Sequence, residues 1–461
     1  MAGGESISAK IIKALGIFTG VQSIGILCSI VRAKLISIWI GTTGVGLFAT
    51  FNSVLEMMST ATQLNIRESS VRDLSAADGS KLASTVTAVR WWARRLGLAG
   101  ALVMALLSPL LSLISFGDTD MWWGFCALSV AMFALSVSNG EQAIMQGTSL
   151  LRPLAKSTMW GAVGGTVISI PLYYFFGTGS IVPSITIFSL TTMTASCLCC
   201  SVKGASGNSG ISRSIGRKFL SLGLYLTIPA IAVTAASYVF ISYLNSAYSE
   251  STTGIFQAGY TLVIRYTGIV FTALSMEYFP RISRTADRVN VTSTLVSHEM
   301  ILILNVLTPL LVIFISADGL ILHILYTEAF IDTLPFVTIG CLAMIFRGAS
   351  YCMSYVIIAR GDGRTFLITE LLSVSIGLTL NITLFTRYSF TGLGVSYVLW
   401  YLIYTLIVGY VYRGYGMILR PRALRLLGAS VTILCAAIVL KGYGWWPPLI
   451  MLVPSLILIR R

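Results

Sequence analysis

Two arginines interrupt apolar stretches of this chain: Arg265 in YTLVIRYTGIVF and Arg347 in CLAMIFRGASY, each near the middle of its run. A guanidinium grips a phosphate or carboxylate through parallel N–H donors. Held at the centre of a bilayer it costs at least ~3 kcal/mol on insertion scales unless it faces protein or water. Both residues therefore read as an anion site, with a fixed ion pair or helix-to-helix glue as the structural alternative. Glu56, in FNSVLEMMST, lies within a residue or two of the position that corresponds to Arg265 in an internal repeat, so it suits a gating salt bridge, a site for a coupling proton, or a permanent pair. Arg32 and Lys34 precede the glycine-rich turn in VRAKLISIWIGTTGVGLF, where they pair with outer headgroups or line an outer mouth. Glu141 and Glu370 sit nearer the inner face and are expected to snorkel.

The elements that must hold these groups are membrane helices. With 461 residues, 56% of them hydrophobic and 10% charged, the chain cannot cover a soluble globule with polar groups. Apolar runs of roughly 20 residues recur along it, each long enough to cross ~30 Å of hydrocarbon, and backbone groups in lipid must be satisfied within the segment. Fourteen such runs are expected, among them 11–31, 45–64, 254–276, 299–317, 365–386 and 391–412. The last two, 423–440 and 446–459, are either spanning or interfacial, because the first carries Arg425 and the second is short.

The net charge of +14 does not point to nucleic acid, because the bases lie in short loops between apolar runs. All of the 31 Lys and Arg residues except Arg32, Lys34, Arg387, Lys441 and the two intramembrane arginines fall on one side, in runs such as 67–95, 203–218, 281–288 and 413–425. That side is cytoplasmic by the positive-inside rule, which places both termini inside. Asp118, Asp120, Glu250, Asp318, Glu328 and Asp332 fall on the outer side.

An internal repeat sets the domain organisation. TTGVGLF at Thr42 answers TTGIF at Thr252, MQGTSLLRPLAK answers ARGDGRTFLITE with Gly147 opposite Gly361, and FFGTGSIV at Phe175 answers SFTGLGV at Ser389. An offset of six helices preserves orientation, so the halves would be related by an axis along the membrane normal. The reading is an all-α polytopic membrane protein of 12–14 spans. A six-helix lobe at 1–202, a basic Gly/Ser-rich linker at 203–218 and a second six-helix lobe at 219–412 are followed by an additional C-terminal helix pair at 413–461.

Enzyme chemistry has little to work with. The two histidines, His298 and His323, are not in metal-ligand spacing, and there is no Walker A loop. The eight cysteines lie in or beside apolar runs and read as packing residues, although Cys197, Cys199 and Cys200 cluster. No catalytic residue, metal or cofactor is assigned.

The blocks VRAKLISIWIGTTGVGLF, IRESSVRDLS, EQAIMQGTSLLRPLAKSTMWGAVGGTVISIPLYYFFGTGSIVPS, EYFPRIS and ARGDGRTFLITELLS resemble the polysaccharide transporter branch of the multidrug/oligosaccharidyl-lipid/polysaccharide exporter superfamily, over roughly residues 10 to 412. The resemblance implies two six-helix lobes around a central cavity and alternating access. It also implies flipping of undecaprenyl-pyrophosphate-linked glycans such as O-antigen units in a bacterial cytoplasmic membrane. On that basis Arg265, Arg347 and Arg32 are expected to bind substrate, and Glu56 to gate or couple to H+ or Na+. Membrane lipid, a polysaccharide polymerase and glycosyltransferases are the expected partners, with no nucleic acid. A drug/cation antiporter of the same fold is the alternative, which would prefer cavity carboxylates. A non-transporting membrane scaffold would leave the intramembrane arginines unexplained.

Overall fold

The computed structural model describes residues 24–63, 66–75, 77, 79–202, 204 and 209–460. The expected start of the first helix and part of the 203–218 linker lie outside them. Among the described residues every regular element is helical, as lipid demands of a backbone that must satisfy its own hydrogen bonds. Among the described residues seven helices are long and apolar enough to cross a membrane, or eight if one bent pair counts as a single span. Two of the seven are too long to be single crossings. A straight helix the length of Gly363–Gly414, 52 residues, would reach about 78 Å, more than twice the hydrocarbon thickness.

The chain forms two compact units, Met1–Gly254 and Ile255–Arg461. The first contains α1 (24–39), α2 (Gly41–Gln63), α3 (Ile66–Ser75), α4 (Gly79–Leu106), α5 (Ser108–Phe116), α6 (Trp122–Gly147), α7 (Leu151–Phe176), α8 (Ile181–Cys199) and α9 (Ser209–Ala247). It also contains the start of α10 (Glu250–Tyr260). Helix α1 continues past Arg32 and Lys34, and only Ile40 separates it from α2. The helix expected to end at residue 31 therefore runs on through both bases. Gly41 makes the turn at φ +80°, a conformation that glycine adopts without steric penalty. Helix α9, assigned by sequence to the second lobe, packs on α2, α4 and α5 of this unit.

Small residues bring these helices together. Ala93 on α4 faces Gly140 on α6, and Ser136 donates to the Ala93 carbonyl at 2.8 Å. At the start of α2, a Cβ on Gly46 would collide with the Glu250 carbonyl, and one on Gly254 with the Thr42 carbonyl. Thr42 and Ser251 share a hydroxyl hydrogen bond of 2.7 Å at the same crossing. The two TTG motifs that mark the sequence repeat thus meet in space.

Helices α7 and α8 fold back on each other. Gly161 and Gly165 lie against Thr192 and Phe188, and the chain reverses at Gly177 (φ +53°). The second unit repeats this device in α14 (Gly363–Gly414), which reverses at Ser389 with φ 53° and ψ −137°. Its arms are joined by Ser396 to Asn381 at 2.7 Å and by Trp400 to Ser373 at 3.0 Å. Glu370, expected to snorkel, instead accepts from the Tyr404 hydroxyl across the same seam.

Gly177 and Ser389 are 212 residues apart, and so are Ser149 (φ 58°) and Gly361 (φ 72°). The backbone bonds around the second pair coincide under that offset: Thr148 to Ile144 and Leu150 to Met145 answer Arg360 to Val356 and Asp362 to Ile357. The repeat is real at the level of backbone conformation. Its register at this corner pairs Gly361 with Ser149, not with Gly147.

The rest of the second unit comprises a π-helical turn (Thr261–Arg265), α11 (Tyr266–Ser283), α12 (Val289–Leu325), α13 (Leu334–Ala359), α15 (Pro421–Lys441) and α16 (Leu452–Arg460). Helix α15 is long and apolar enough to span, Arg425 included, whereas the final apolar segment, Pro447–Leu456, falls short of that length. Asp318 is not an outer-loop acid but a residue 1% exposed inside α12. It accepts from Lys441 at 2.5 Å and Thr338 at 2.7 Å, which ties α15 to the second unit.

Candidate functional site

In the second unit the helix that begins as α10 loosens into the π-helical turn before continuing as α11. Such a turn changes the i→i+4 bonding and re-aims the residues beyond it, and it recurs at functional positions. Arg265 is the last residue of the turn, and its side chain is exposed. Arg347 comes from the middle of α13, half-buried, with its Nη1 3.5 Å from the carbonyl of Ile264. Its guanidinium lies 5.4 Å from the Phe271 ring centre on α11 and 5.6 Å from the Tyr401 ring centre on α14. Aromatic faces attract a cation without neutralising it.

Among the described residues neither arginine pairs with a carboxylate. The fold brings Arg347 against the peptide just before Arg265. Sequence reasoning missed the aromatic surround. Tyr351, whose hydroxyl donates to the Phe271 carbonyl at 3.0 Å, belongs to it. So does Trp400, stacked on Tyr401 with ring centres 5.0 Å apart. A signal was present in YVLWYLIY, where Tyr397, Trp400, Tyr401 and Tyr404 follow the i, i+3, i+4, i+7 spacing of one helix face. Aromatic faces of this kind suit the apolar face of a sugar ring as well as a cation.

In the first unit Arg32 is half-buried, between Phe48 on α2 at 4.9 Å and Phe188 on α8 at 4.6 Å from its Cζ to the ring centres. Asn52, one turn beyond Phe48, donates to the Phe48 carbonyl at 2.7 Å. Glu56 is exposed on α2, and its carboxylate makes no ion pair among the described residues.

The basic run at 67–95 is partly a structural device. Arg90 makes two bonds to Glu141, 2.7 Å from Nε and 2.8 Å from Nη2, and approaches Cys200 Sγ at 3.6 Å. Glu141 is 5% exposed, so it does not snorkel but fixes α6 to α4. Burial first, and then the hydrogen bond with Glu141, push the Cys200 thiol up to about 11, so it is a poor source of thiolate for metal or acyl chemistry. Arg90 also lines a cleft of about 430 Å³ with Thr87, Trp91, Arg94, Arg95 and Gly204. Arg95 stacks there on Trp91 at 4.1 Å, an arrangement suited to lipid headgroups.

Residues 35–335 match the family described as polysaccharide biosynthesis protein. No curated protein matches the sequence. Among solved structures the chain is similar to the lipid II flippase MurJ in an inward closed conformation, at a TM-score of 0.72 and 12% identity, with 96% of each chain covered. It is also similar to a multidrug resistance MATE family transporter of the MOP superfamily in an outward-facing conformation, at 0.61 and 13%, covering 90% of this chain and 96% of that one. A MATE protein in a bent conformation gives 0.60 and 12%, covering 91% and 96%. At these identities the likeness carries the fold alone.

Proposed function

The chain belongs to the polysaccharide biosynthesis protein family, and we propose that it acts as a member of the polysaccharide transporter branch of the multidrug/oligosaccharidyl-lipid/polysaccharide exporter superfamily, flipping undecaprenyl-pyrophosphate-linked oligosaccharides across a bacterial cytoplasmic membrane by alternating access. It is a multi-pass membrane protein, and its structural neighbours are transporters and a flippase rather than enzymes. The observation that carries the proposal is Arg347 held at the π-turn beside Arg265, in aromatic surroundings, with no carboxylate to neutralise either one among the described residues. Uncompensated guanidinium in an apolar setting favours an anionic visitor, and a pyrophosphate offers the matching oxygens.

In this reading Arg265 and Arg347 take the pyrophosphate, the aromatic surround takes the first sugar, and Arg32 acts near the outer exit. The six-helix lobes at 1–202 and 219–412 exchange access between the two sides, with the termini cytoplasmic. Glu56 gates the path or takes up the coupling ion, H+ or Na+. Glycosyltransferases would supply the substrate and a polymerase would consume it. The test is surface glycan export in cells lacking their own flippase: Arg265→Ala at normal protein level should abolish export, and unchanged export would contradict the assignment.

Glu56, exposed and without an ion pair among the described residues, favours a second reading, an ion-coupled drug/cation antiporter. That reading requires Glu56→Gln to stop drug efflux while Arg347→Ala leaves it intact.

A further inference from the structure

Helix α4 divides its surface lengthwise. Val86, Val89, Ala93, Gly97, Gly100 and Met104 recur at helical spacing and are all buried, so this face is committed to the interior of the first unit. The opposite face carries Thr87, Trp91 and Arg95, and then Leu98, Leu102 and Leu106, the three leucines exposed. Polar and aromatic groups thus give way to apolar ones at one level of a single helix face. From Arg95 to Leu106 the helix climbs about 16 Å, half of a ~30 Å hydrocarbon layer and so the depth of one leaflet. Trp91 and Trp92, with ring centres 5.1 Å apart, stand just below the leucines, at the level where membrane proteins collect such rings.

At that level lies the cleft of about 430 Å³ shared by Arg90, Arg94 and Arg95. The three guanidiniums are not equivalent. Arg90 spends Nε and Nη2 on Glu141, which balances its charge. Arg94 and Arg95 are exposed, and among the described residues neither pairs with a carboxylate. No acid lines the cleft, so two positive charges are left over. Arg95 lies over the Trp91 ring at 4.1 Å, one turn away on the same face. Stacking occupies the flat face of a guanidinium and leaves the N–H donors at its edge. Gly204, which also lines the cleft, is pressed onto α4 so closely that a Cβ there would stand 2.5 Å from the Thr87 hydroxyl. Val86, Val89 and Cys200 belong to one buried cluster with Ile144 and Met145, which fixes the neighbouring chain to α4 and α6.

The geometry points to a binding site for the phosphate headgroup of an anionic membrane lipid, with Arg94 and the stacked Arg95 on the phosphate and the acyl chains laid along Leu98, Leu102 and Leu106. A soluble phosphate has no use for the leucine stripe. A zwitterionic headgroup would bring its own cation against two uncompensated ones. The charge bias assigns this basic run to the cytoplasmic side, where the leaflet carries a negative surface potential. Each base near such a surface is worth roughly fivefold in affinity. Bound there, the lipid would anchor the inner end of α4 to its leaflet, with Gly204 at its side.

The experiment is native mass spectrometry of the full-length protein released from detergent, after titration at fixed ionic strength with phosphatidylglycerol, phosphatidylcholine or glycerol 3-phosphate. Phosphatidylglycerol should bind at least ~10-fold more tightly than phosphatidylcholine, and glycerol 3-phosphate should not displace it at equal concentration. Arg94→Gln with Arg95→Gln should weaken the tightest phosphatidylglycerol site at least ~10-fold. Arg95→Lys, which keeps the charge and the fold but loses the planar fork, should weaken it about threefold. Arg284→Gln with Arg288→Gln removes the same charge from another exposed basic run and should leave that affinity unchanged. Equal binding of the two lipids, displacement by glycerol 3-phosphate, full affinity in the Arg94 and Arg95 variants, or an equal loss in both arginine pairs would overturn the site. None of these outcomes depends on Arg265, Arg347 or glycan transport.

Discussion

Arg347 Nη1 lies 3.5 Å from the carbonyl of Ile264, the peptide that immediately precedes Arg265. One of the two arginines is thus registered against the π-turn that presents the other. At 3.5 Å the bond is weak by geometry, so the contact positions Arg347 without consuming it. Among the described residues this is the one hydrogen bond of the Arg347 side chain, so four of its five N–H donors are left for a planar anion.

Ser389 occupies a backbone region that suits glycine, as Gly177 does at the corresponding corner of the first unit. Holding a non-glycine residue there costs on the order of 1 kcal/mol. Ser389→Gly should therefore raise the unfolding temperature of the detergent-solubilised protein, and Gly177→Val should lower it. A destabilising Ser389→Gly would mean that its side chain contributes more than its backbone costs.

The Arg90–Glu141 pair should be structural. Glu141→Gln leaves Arg90 with a neutral partner at a site where the carboxylate is 5% exposed, and breaking a buried pair costs ~3 kcal/mol or more. Because Arg90 is itself one-quarter exposed, the lower end of that range is expected in urea or thermal unfolding. Wild-type stability in Glu141→Gln would show that solvent screens the pair.

Asp362 caps α14 by accepting from the Thr365 amide at 3.1 Å, and Tyr415 donates to its other oxygen at 2.7 Å. The Tyr415 bond first and then those from Thr365 hold the carboxyl below its usual range, while burial and the bond to Asp362 push the Tyr415 hydroxyl up to about 12. A depressed carboxyl stabilises the fold above its unfolded-state pKa, and that contribution is lost as pH falls through the folded-state value. Asp362→Ala should cost about 1 kcal/mol near neutral pH, as for other N-caps, and nothing once the wild-type carboxyl is protonated. A gap that stays constant into strong acid would rule out the charged cap.

What the sequence disclosed followed from local rules. The all-α membrane fold could be read from run length, and the two odd arginines stood out by the cost of charge in hydrocarbon. The glycine-marked corners could be read from repeated short motifs. Partners distant in the chain could not be read that way. Arg32 read as a residue for outer headgroups or an outer mouth because nothing nearby in the sequence announces Phe188. Asp318 looked like an outer acid because Lys441 lies 123 residues away, and Glu141 looked like a snorkelling acid because Arg90 is 51 residues upstream. The π-turn at Thr261–Arg265 has no signature in residue type at all. The 212-residue register at Gly361 became clear only from backbone conformation, since sequence alone aligned glycine with glycine.

We propose Arg265 and Arg347 as an anion site for a pyrophosphate-linked glycan. The most direct measurement is equilibrium binding of an undecaprenyl-pyrophosphate oligosaccharide to the purified full-length protein at fixed ionic strength, comparing wild type with Arg347→Lys and Arg347→Ala. Loss of bidentate contact should weaken binding at least tenfold in Arg347→Ala, about 1.4 kcal/mol. Arg347→Lys should fall between the two, because lysine keeps the charge without the fork. Equal affinity in all three proteins would contradict the account.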